Sequence, residues 1–202
     1  SGKSTLLTIA AGLQPVSDGQ VIFDGNNMTA MSSEQVRKIR ASKFGFVFQN
    51  SDIQLFNTSV TDEIAFGPQH LGLPQHEIDQ RVNDCLKLLK IERLRDRVPY
   101  HLSGGEQKLV AIASVLAMNP DIIILDEPFN GLSPKYRALI TQIVNQLHHA
   151  GKTIIISSHH FNQIRSLVDR VYVFSEDHTI TRKITADQLE EMPRFIDYLD
   201  NL

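Results

Sequence analysis

The first residues of the sequence have types and spacing suited to binding phosphate. Gly2, Lys3 and Ser4 match the second half of the pattern G-x-x-x-x-G-K-[ST], in which the lysine contacts phosphate oxygens and the hydroxyl ligates Mg²⁺. A helix that begins here presents unpaired N–H groups and a partial positive charge, and both favour an anion. Taken alone, this short segment also fits an ordinary helix start with a solvated lysine.

Two carboxylates follow a strongly apolar segment later in the chain. Residues 122–125 (IIIL) predict a strand that is buried on both faces and delivers Asp126 and Glu127 to its carboxyl end, where α/β folds bind ligands. Asp126 could hold Mg²⁺ through water, as in nucleoside triphosphatases, and Glu127 could orient or deprotonate an attacking water. Taken alone, the pattern fits a solvated strand end as well.

A second candidate anion-binding turn lies between these two segments. The sequence LSGGEQ at 102–107 places Ser103 and two glycines immediately before an apolar helix. One nucleotide does not need two such turns from one chain, whereas a site shared between two chains does. The sequence therefore indicates a site that a second chain completes.

Composition and charge exclude several classes of protein. With 20 basic and 23 acidic residues the net charge is −3, so no excess of basic residues indicates binding to nucleic acid or anionic lipid, and we expect no nucleic-acid partner. A lone cysteine, Cys85, cannot form an internal disulfide, which fits a reducing compartment. The apolar runs at 122–125 and 154–156 are too short to span a bilayer.

The order of predicted elements indicates an α/β core with a helical insert. We expect a helix over 3–13 that buries Leu6, Ile9, Ala10 and Leu13. A hairpin at 19–27 would turn at Asp24-Gly25. We expect further strands at 43–50, 122–125, 153–157 and 171–174, and a helix that ends at Asn119-Pro120. A helix after Pro74 would have an apolar stripe of Ile78, Val82, Cys85 or Leu86, and Leu89. A helix from Ser133 to before Gly151 would have an apolar stripe of Leu139 or Ile140, Ile143 or Val144, and Leu147. The last three strands alternate with helix in the rhythm of a parallel sheet.

Together with Gln49 and His159, these segments resemble the ATP-binding subunit of an ABC transporter over essentially the whole chain. The resemblance implies an α/β fold, a P-loop NTPase core with an antiparallel β segment and a helical subdomain insert. It implies one domain over 1–202 that lacks its N-terminal strands. Within it, the helical subdomain with the signature motif would cover about 51–120, and the second part of the core about 121–185.

The resemblance also assigns roles to individual residues, with ATP and Mg²⁺ as the ligands. The residues implied to bind the nucleotide are Gly2, Lys3, Ser4 and Thr5 of the Walker A loop, and Ser103, Gly104, Gly105 and Glu106 of the signature, which contacts the γ-phosphate held by the partner subunit. The residues implied to act on Mg²⁺ or on the water are Ser4, the Q-loop Gln49, the Walker B Asp126, the catalytic Glu127 and the switch histidine His159, with His160 as its rival.

A narrower resemblance lies in residues 48–73 and in the segment VLAMNP. Both are similar to ATPases of energy-coupling factor (ECF) importers, including the cobalt and nickel branch. This implies uptake of a vitamin or a transition metal ion, a second ATPase subunit (identical or paralogous), an integral membrane component, and a peripheral location on the cytoplasmic side of the cell membrane. Leu55, Phe56 and Phe66 could form a groove for a helix of the membrane partner, or they could be core residues.

Three features depart from the family pattern. Ser133 stands where the D-loop usually has Asp, and His160 stands where an acidic residue is common; the effect of both stays open. The sequence starts after the first glycine of the Walker A loop, so we expect a fragment of a longer chain whose full form hydrolyses ATP. Because charge-assisted hydrogen bonds contribute about 1.5–3 kcal/mol each, we expect the residues present to bind ATP weakly on their own.

Two alternatives remain at this stage. One is an ABC ATPase that acts in translation or DNA repair, for which tandem cassettes or a long coiled-coil insertion would be the sign. The other is a non-catalytic module that pairs with an intact ATPase and donates only its signature turn. Neither tandem cassettes nor coiled-coil heptads occur in these residues.

Overall fold

Six helices and seven strands position the candidate residues within the part of the chain that the computed structural model describes, residues 2–185 and 187–188. The helices are α1 (Lys3–Ala10), α2 (Ser33–Lys43), α3 (Val60–His70), α4 (Gln75–Leu88), α5 (Gly104–Leu116) and α6 (Pro134–His149). The strands are β1 (Ile22–Phe23), β2 (Asn26–Asn27), β3 (Phe44–Val47), β4 (Ile122–Asp126), β5 (Thr153–Ser157), β6 (Arg170–Phe174) and β7 (Ile180–Thr185). Short 3₁₀ turns connect several of them.

The chain forms two units, one made of residues up to Met31 and from Ser157 onward, the other of Ser32–Ile156. We call them unit one and unit two. Ser1, Ala186 and the residues from 189 onward, which the expected domain over 1–202 includes, lie outside the described residues.

Unit one contains two antiparallel hairpins. The first pairs β1 with β2 and turns at Asp24-Gly25, which confirms the predicted hairpin. Both turn residues have positive φ, 48° and 74°, the backbone twist that suits a two-residue hairpin loop. The second pairs β6 with β7.

Two sequence expectations about unit one are wrong. Helix α1 ends at Ala10 because Gly12 follows in the left-handed region, and it buries Leu7 while Leu6 and Leu13 are 43% and 38% exposed. Adjacent leucines fit the same 3.6-residue period, so the sequence pattern could not choose between Leu6 and Leu7. The strand at 171–174 does form, but it pairs antiparallel with β7. The sequence does not predict β7, because every side chain of this strand except Ile184 is exposed and no apolar run marks it.

Unit two contains the three-stranded sheet, in the order β3-β4-β5. Strands β3 and β4 are parallel, with Phe44 opposite Ile122 and Val47 opposite Leu125. All four residues of β3 and all but the first of β4 are buried, so these strands are covered on both faces as the apolar runs predict.

The helices of unit two bury the faces that the sequence period predicts. Pro74 precedes α4, whose buried residues are Ile78, Val82, Cys85 and Leu86. Helix α6 buries Ile140, Ile143 and Val144. Ser133 occupies the N-cap position of α6 as expected, but its side chain makes no capping hydrogen bond, so the helix start depends on Pro134 and on backbone bonds. Among the described residues, none of the helices has the length and apolar composition that spanning a membrane requires.

Helix α5 contacts both α3 and β3, and a glycine permits the close approach to β3. A Cβ atom on Gly45 would overlap Val115 of α5 and would lie 2.8 Å from Pro120. Protein interiors are packed too densely for such an atom to be added without displacing its neighbours.

We predict that Gly45→Ala lowers the free energy of unfolding by about 1–3 kcal/mol through overpacking. Gly104→Ala is the matched control, because the methyl group that it adds meets no atom of another segment within 4 Å. Urea unfolding followed by circular dichroism measures both. Equal stability of the two variants would show that α5 is not packed tightly on β3.

Candidate active site

In unit one, helix α1 begins with the predicted phosphate-binding residues. Gly2 is the N-cap residue with φ of 73°, a left-handed conformation that glycine adopts at little cost. Ser4 and Thr5 are exposed in the first turn of α1, where the backbone N–H groups have no partner within the helix. The start of α1 therefore offers exposed hydroxyl-bearing residues and helix-terminal N–H groups of the kind that bind phosphate.

Unit one also brings together two predicted residues that are 156 positions apart. The Lys3 Nζ atom lies 3.2 Å from Nδ1 of His159. A lysine ammonium can only donate, so Nδ1 must accept, and we infer that the proton of the neutral ring is on Nε2. His159 thereby has an N–H donor on the ring edge that faces away from Lys3. His160 instead makes backbone bonds with the hydroxyl of Ser158.

In unit two, Gln49 and the two carboxylates lie at or just after the carboxyl ends of two paired parallel strands. Val47 and Leu125 are the last paired residues of β3 and β4, and Gln49 and Glu127 each follow two positions later. Asp126 and Glu127 are both only 4% exposed, whereas Gln49 is exposed. The parallel register therefore collects an amide and two carboxylates at one end of the sheet, although Gln49 and Glu127 are far apart in sequence.

Glu127 has an unusual backbone conformation. Its φ is 48°, in the left-handed region, and its carbonyl accepts a hydrogen bond from the N–H of Asn130 at 3.3 Å. A non-glycine residue in this region costs about 1–3 kcal/mol and persists only where its surroundings fix it, commonly at active sites. The turn directs the chain away from the sheet immediately after β4, so Glu127 is held at the strand end.

Also in unit two, the turn at 103–106 is closed by its own side chains. Ser103 Oγ accepts from the N–H of Glu106 at 3.4 Å and donates to its Oε2 at 2.9 Å, and the same Oε2 accepts from the N–H of Ser103 at 3.2 Å. Arg93 Nη2 donates to Glu106 Oε1 at 2.7 Å. The bond from Arg93, together with those from Ser103, holds the pKa of Glu106 below its usual range. A carboxylate of the chain itself therefore bonds to the start of α5.

Glycine at the second position of this helix leaves room for a neighbouring aromatic ring. A Cβ atom on Gly105 would lie 2.6 Å from the ring of Tyr136 in α6. The aromatic ring therefore packs directly on the signature backbone.

The sequence reasoning missed Lys108 of unit two. This side chain is 4% exposed, and its Nζ donates to the carbonyl oxygens of Phe48 at 2.9 Å and Gln49 at 2.6 Å. Burial lowers its pKa to about 8, against the opposing attraction of Asp126 and Asp52. The available signal was a single charge at the start of the apolar run 109–113 in a helix that is buried on most sides.

The oxygen donors of unit two suit Mg²⁺. This ion binds proteins through one or two carboxylates together with substrate phosphates, and it prefers oxygen ligands. The Asp126 carboxylate at the end of β4 and the Gln49 amide at the end of β3 are donors of this type. Within residues 2–185 and 187–188, no group of three or more His, Cys, Asp or Glu side chains is placed to hold a metal ion by itself.

Comparison with known families identifies the chain. Residues 1–130 of the 202 match the ABC transporter family. The chain belongs to this family. It is therefore an ABC ATPase with a P-loop core: it binds nucleotide, and ATP-binding subunits of the family hydrolyse ATP, as the sequence resemblance implied.

Two relatives carry more specific names. The chain is 45% identical over 195 residues to the nickel import ATP-binding protein LarO of Lactiplantibacillus plantarum, covering 96% of this chain and 81% of the relative. It is 45% identical over 175 residues to the energy-coupling factor transporter ATP-binding protein EcfA of Carboxydothermus hydrogenoformans, covering 87% and 63%.

Two solved structures share the fold. One is cbiO1 from Clostridium perfringens, part of the ABC transporter complex cbiONQ, at 35% identity and a TM-score of 0.83, with 99% of this chain and 79% of that chain covered. The other is a dimeric ATP-binding cassette bound to ADP and Pi in a post-hydrolysis state, at 31% identity and a TM-score of 0.84, with 92% and 81% covered.

We predict that the Arg93–Glu106 ion pair makes stability depend on acid pH. Because the pKa of Glu106 is lowered in the folded chain, its contribution is present above the unfolded pKa of about 4.3 and is lost as the pH falls through the lower folded value. Wild type should therefore have a higher Tm than Glu106→Gln at pH 7, and the difference should shrink toward about pH 3. Thermal unfolding across this range measures it.

The matched control is Glu92→Gln, an exposed carboxylate of the neighbouring turn. In an Arg93→Ala background, the pH-dependent difference between Glu106 and Gln should become smaller, and the part due to the bonds from Ser103 should remain. A Tm difference that is the same at every pH would show that the carboxylate charge has no stabilising partner.

Proposed function

We propose that this chain is the ATP-binding subunit of an ECF-type importer, which hydrolyses ATP to drive uptake of a vitamin or a transition metal ion. The observation that carries the hydrolytic part is the placement of Gln49, Asp126 and Glu127 at one edge of the sheet by the register of β3 and β4. The transport part is supported by the similarity to EcfA, to the nickel import protein LarO and to cbiO1 of the cbiONQ complex.

In this proposal the Walker A residues Gly2, Lys3, Ser4 and Thr5 bind the phosphates of ATP. Ser4, Asp126 and Gln49 would hold Mg²⁺, which would supply positive charge to neutralise the transferred phosphoryl group. Helix α1 contributes N–H groups and the positive end of its dipole.

Glu127 and His159 have the catalytic roles. Glu127 orients the attacking water and accepts its proton as the new oxygen–phosphorus bond forms and the bond to the ADP oxygen breaks. His159 donates from Nε2 to the γ-phosphate, a role for which its contact with Lys3 leaves the correct ring nitrogen protonated. Gln49 orients the same water from the end of β3.

A second ATPase subunit, identical or paralogous, completes each site. Ser103 and the segment Gly104–Glu106 of one subunit contact the γ-phosphate held by the other, so two subunits close head-to-tail on two ATP molecules. The dimeric state of the solved neighbour bound to ADP and Pi supports the pairing of two such subunits. Hydrolysis then separates the two subunits.

In the proposal a membrane component binds to the segment after Gln49, and the chain is peripheral on the cytoplasmic side of the cell membrane. Leu55 is buried and belongs to the core, whereas Ile53 and Phe56 are 71% and 63% exposed. The Phe56 ring packs edge-on against Phe66 with a centroid distance of 4.8 Å, which keeps an exposed apolar surface in a fixed orientation. Movement of the two subunits would be transmitted to the membrane component through this surface.

Glu127→Gln in the full transporter complex tests the catalytic assignment. Removing the general base should lower kcat for ATP hydrolysis by about 10²- to 10⁴-fold while ATP binding persists. Glu176→Gln, an exposed carboxylate of unit one, is the control and should leave kcat unchanged. Phosphate release and ATP titration measure the two quantities.

The same experiment separates the proposal from the alternative of a non-catalytic module. If the paired subunit performs all the hydrolysis, Glu127→Gln will leave the ATPase rate of the complex as it is in wild type, and the catalytic role is wrong. Uptake of radiolabelled nickel, cobalt or a vitamin by reconstituted vesicles then tests the class of cargo.

A further inference from the structure

We propose that Lys108 is a positioning residue that fixes the backbone from which the Gln49 side chain extends. The inference rests on the role proposed for Gln49 and adds a residue of the signature helix to the machinery that places it.

The geometry around Phe48 carries the proposal. Strand β3 ends at Val47, so the backbone of the next residues needs partners other than the sheet. Lys108 donates to the carbonyl oxygens of Phe48 and Gln49 at 2.9 and 2.6 Å. On the other side, Gln54 Oε1 accepts from the N–H of Phe48 at 3.3 Å, and its Nε2 donates to the carbonyl of Phe46 at 3.1 Å. The N–H and the carbonyl of Phe48 are therefore both bonded to side chains, the N–H to Gln54 and the carbonyl to Lys108.

The number of hydrogen-bond donors on a lysine side chain explains why a lysine occupies position 108. An ammonium group has three N–H donors and no acceptor, so one side chain can bond two adjacent carbonyls. Burying a charge is unfavourable, and an apolar side chain of similar length would pack at position 108 without that cost. Fold stability alone does not account for a buried lysine, whereas fixing two consecutive carbonyls does.

A second buried charge limits the segment that can move. Glu63 of α3 is 3% exposed and accepts from the N–H groups of Phe56 at 2.9 Å and Asn57 at 2.7 Å. Residues 50–55 thus lie between two side-chain anchors. Gln49 is the last residue that Lys108 contacts, and Gln54 links the segment 50–55 back to Phe46 and Phe48 at the end of β3.

Lys108 also connects Gln49 to the signature turn. It lies one helical turn after Gly104 in α5, the helix whose first residues would contact the nucleotide of the partner subunit. A shift of α5 along its axis would therefore be transmitted directly to the backbone at Gln49.

Lys108→Met in the full complex tests the proposal, with Lys108→Arg as the conservative variant and Lys87→Met, an exposed lysine of α4, as the matched control. Amide hydrogen exchange of the peptide that contains residues 46–50 measures how strongly this backbone segment is held in place. Steady-state ATPase kinetics in wild-type and Gln49→Ala backgrounds measure the effect of this anchoring on kcat and on KM for ATP.

We expect Lys108→Met to increase exchange in this peptide and to lower kcat by roughly 10-fold or more, since small misplacements of catalytic groups have effects of that size. KM for ATP should stay within about twofold. Lys108→Arg should recover most of the rate. In the Gln49→Ala background, Lys108→Met should change kcat by less than about twofold, because the two residues act as one unit.

Unchanged exchange in the 46–50 peptide would overturn the proposal, and so would an equal loss of kcat with and without Gln49. Failure of the proposed function gives a different result: Gln49→Ala alone would leave kcat at the wild-type value, while the exchange measurement still decides whether Lys108 anchors the backbone.

Discussion

The parallel pairing of β3 with β4 is the constraint on which the catalytic geometry of unit two depends. The register places Val47 opposite Leu125, so the chain segments that carry Gln49 and Glu127 emerge side by side. Both strands are buried on both faces, and a slip of β3 by one residue would replace Gly45 beside Val115 and Pro120 with a side chain for which there is no room. The hydrophobic core therefore specifies the relative placement of the amide and the carboxylates.

Helix α5 connects this sheet edge to the signature turn. Its first turn carries the Ser103–Glu106 capping box, its second turn carries Lys108, and most of its remaining residues are buried. The Ser103 hydroxyl is engaged with Glu106, whose negative charge is paired with Arg93. A phosphate that binds here must compete with a carboxylate that is already in place, so we expect the charge of Arg93 to matter for the proposed contact between subunits.

From the sequence we could predict the helices and strands that a residue pattern within one segment specifies. The run before Asp126 specifies a buried strand, Ser103 and the two glycines after it indicate a helix start, and the period after Pro74 specifies the buried face of α4. The buried face of α1 could not be read, because neighbouring leucines satisfy the same period. The bonds from Lys108 to the backbone after β3 join segments about 60 residues apart, and no local pattern encodes them. The resemblance to ABC ATPases supplied the roles of Gln49 and His159, which local patterns do not reveal either.

The structure of the protein with Mg²⁺ and a non-hydrolysable ATP analogue tests the central claim most directly. The account predicts that the γ-phosphate faces Glu127 and that the ion lies at the carboxyl ends of β3 and β4, within water-mediated reach of Asp126. A bound triphosphate whose γ-phosphate and ion lie away from this edge of the sheet would contradict it.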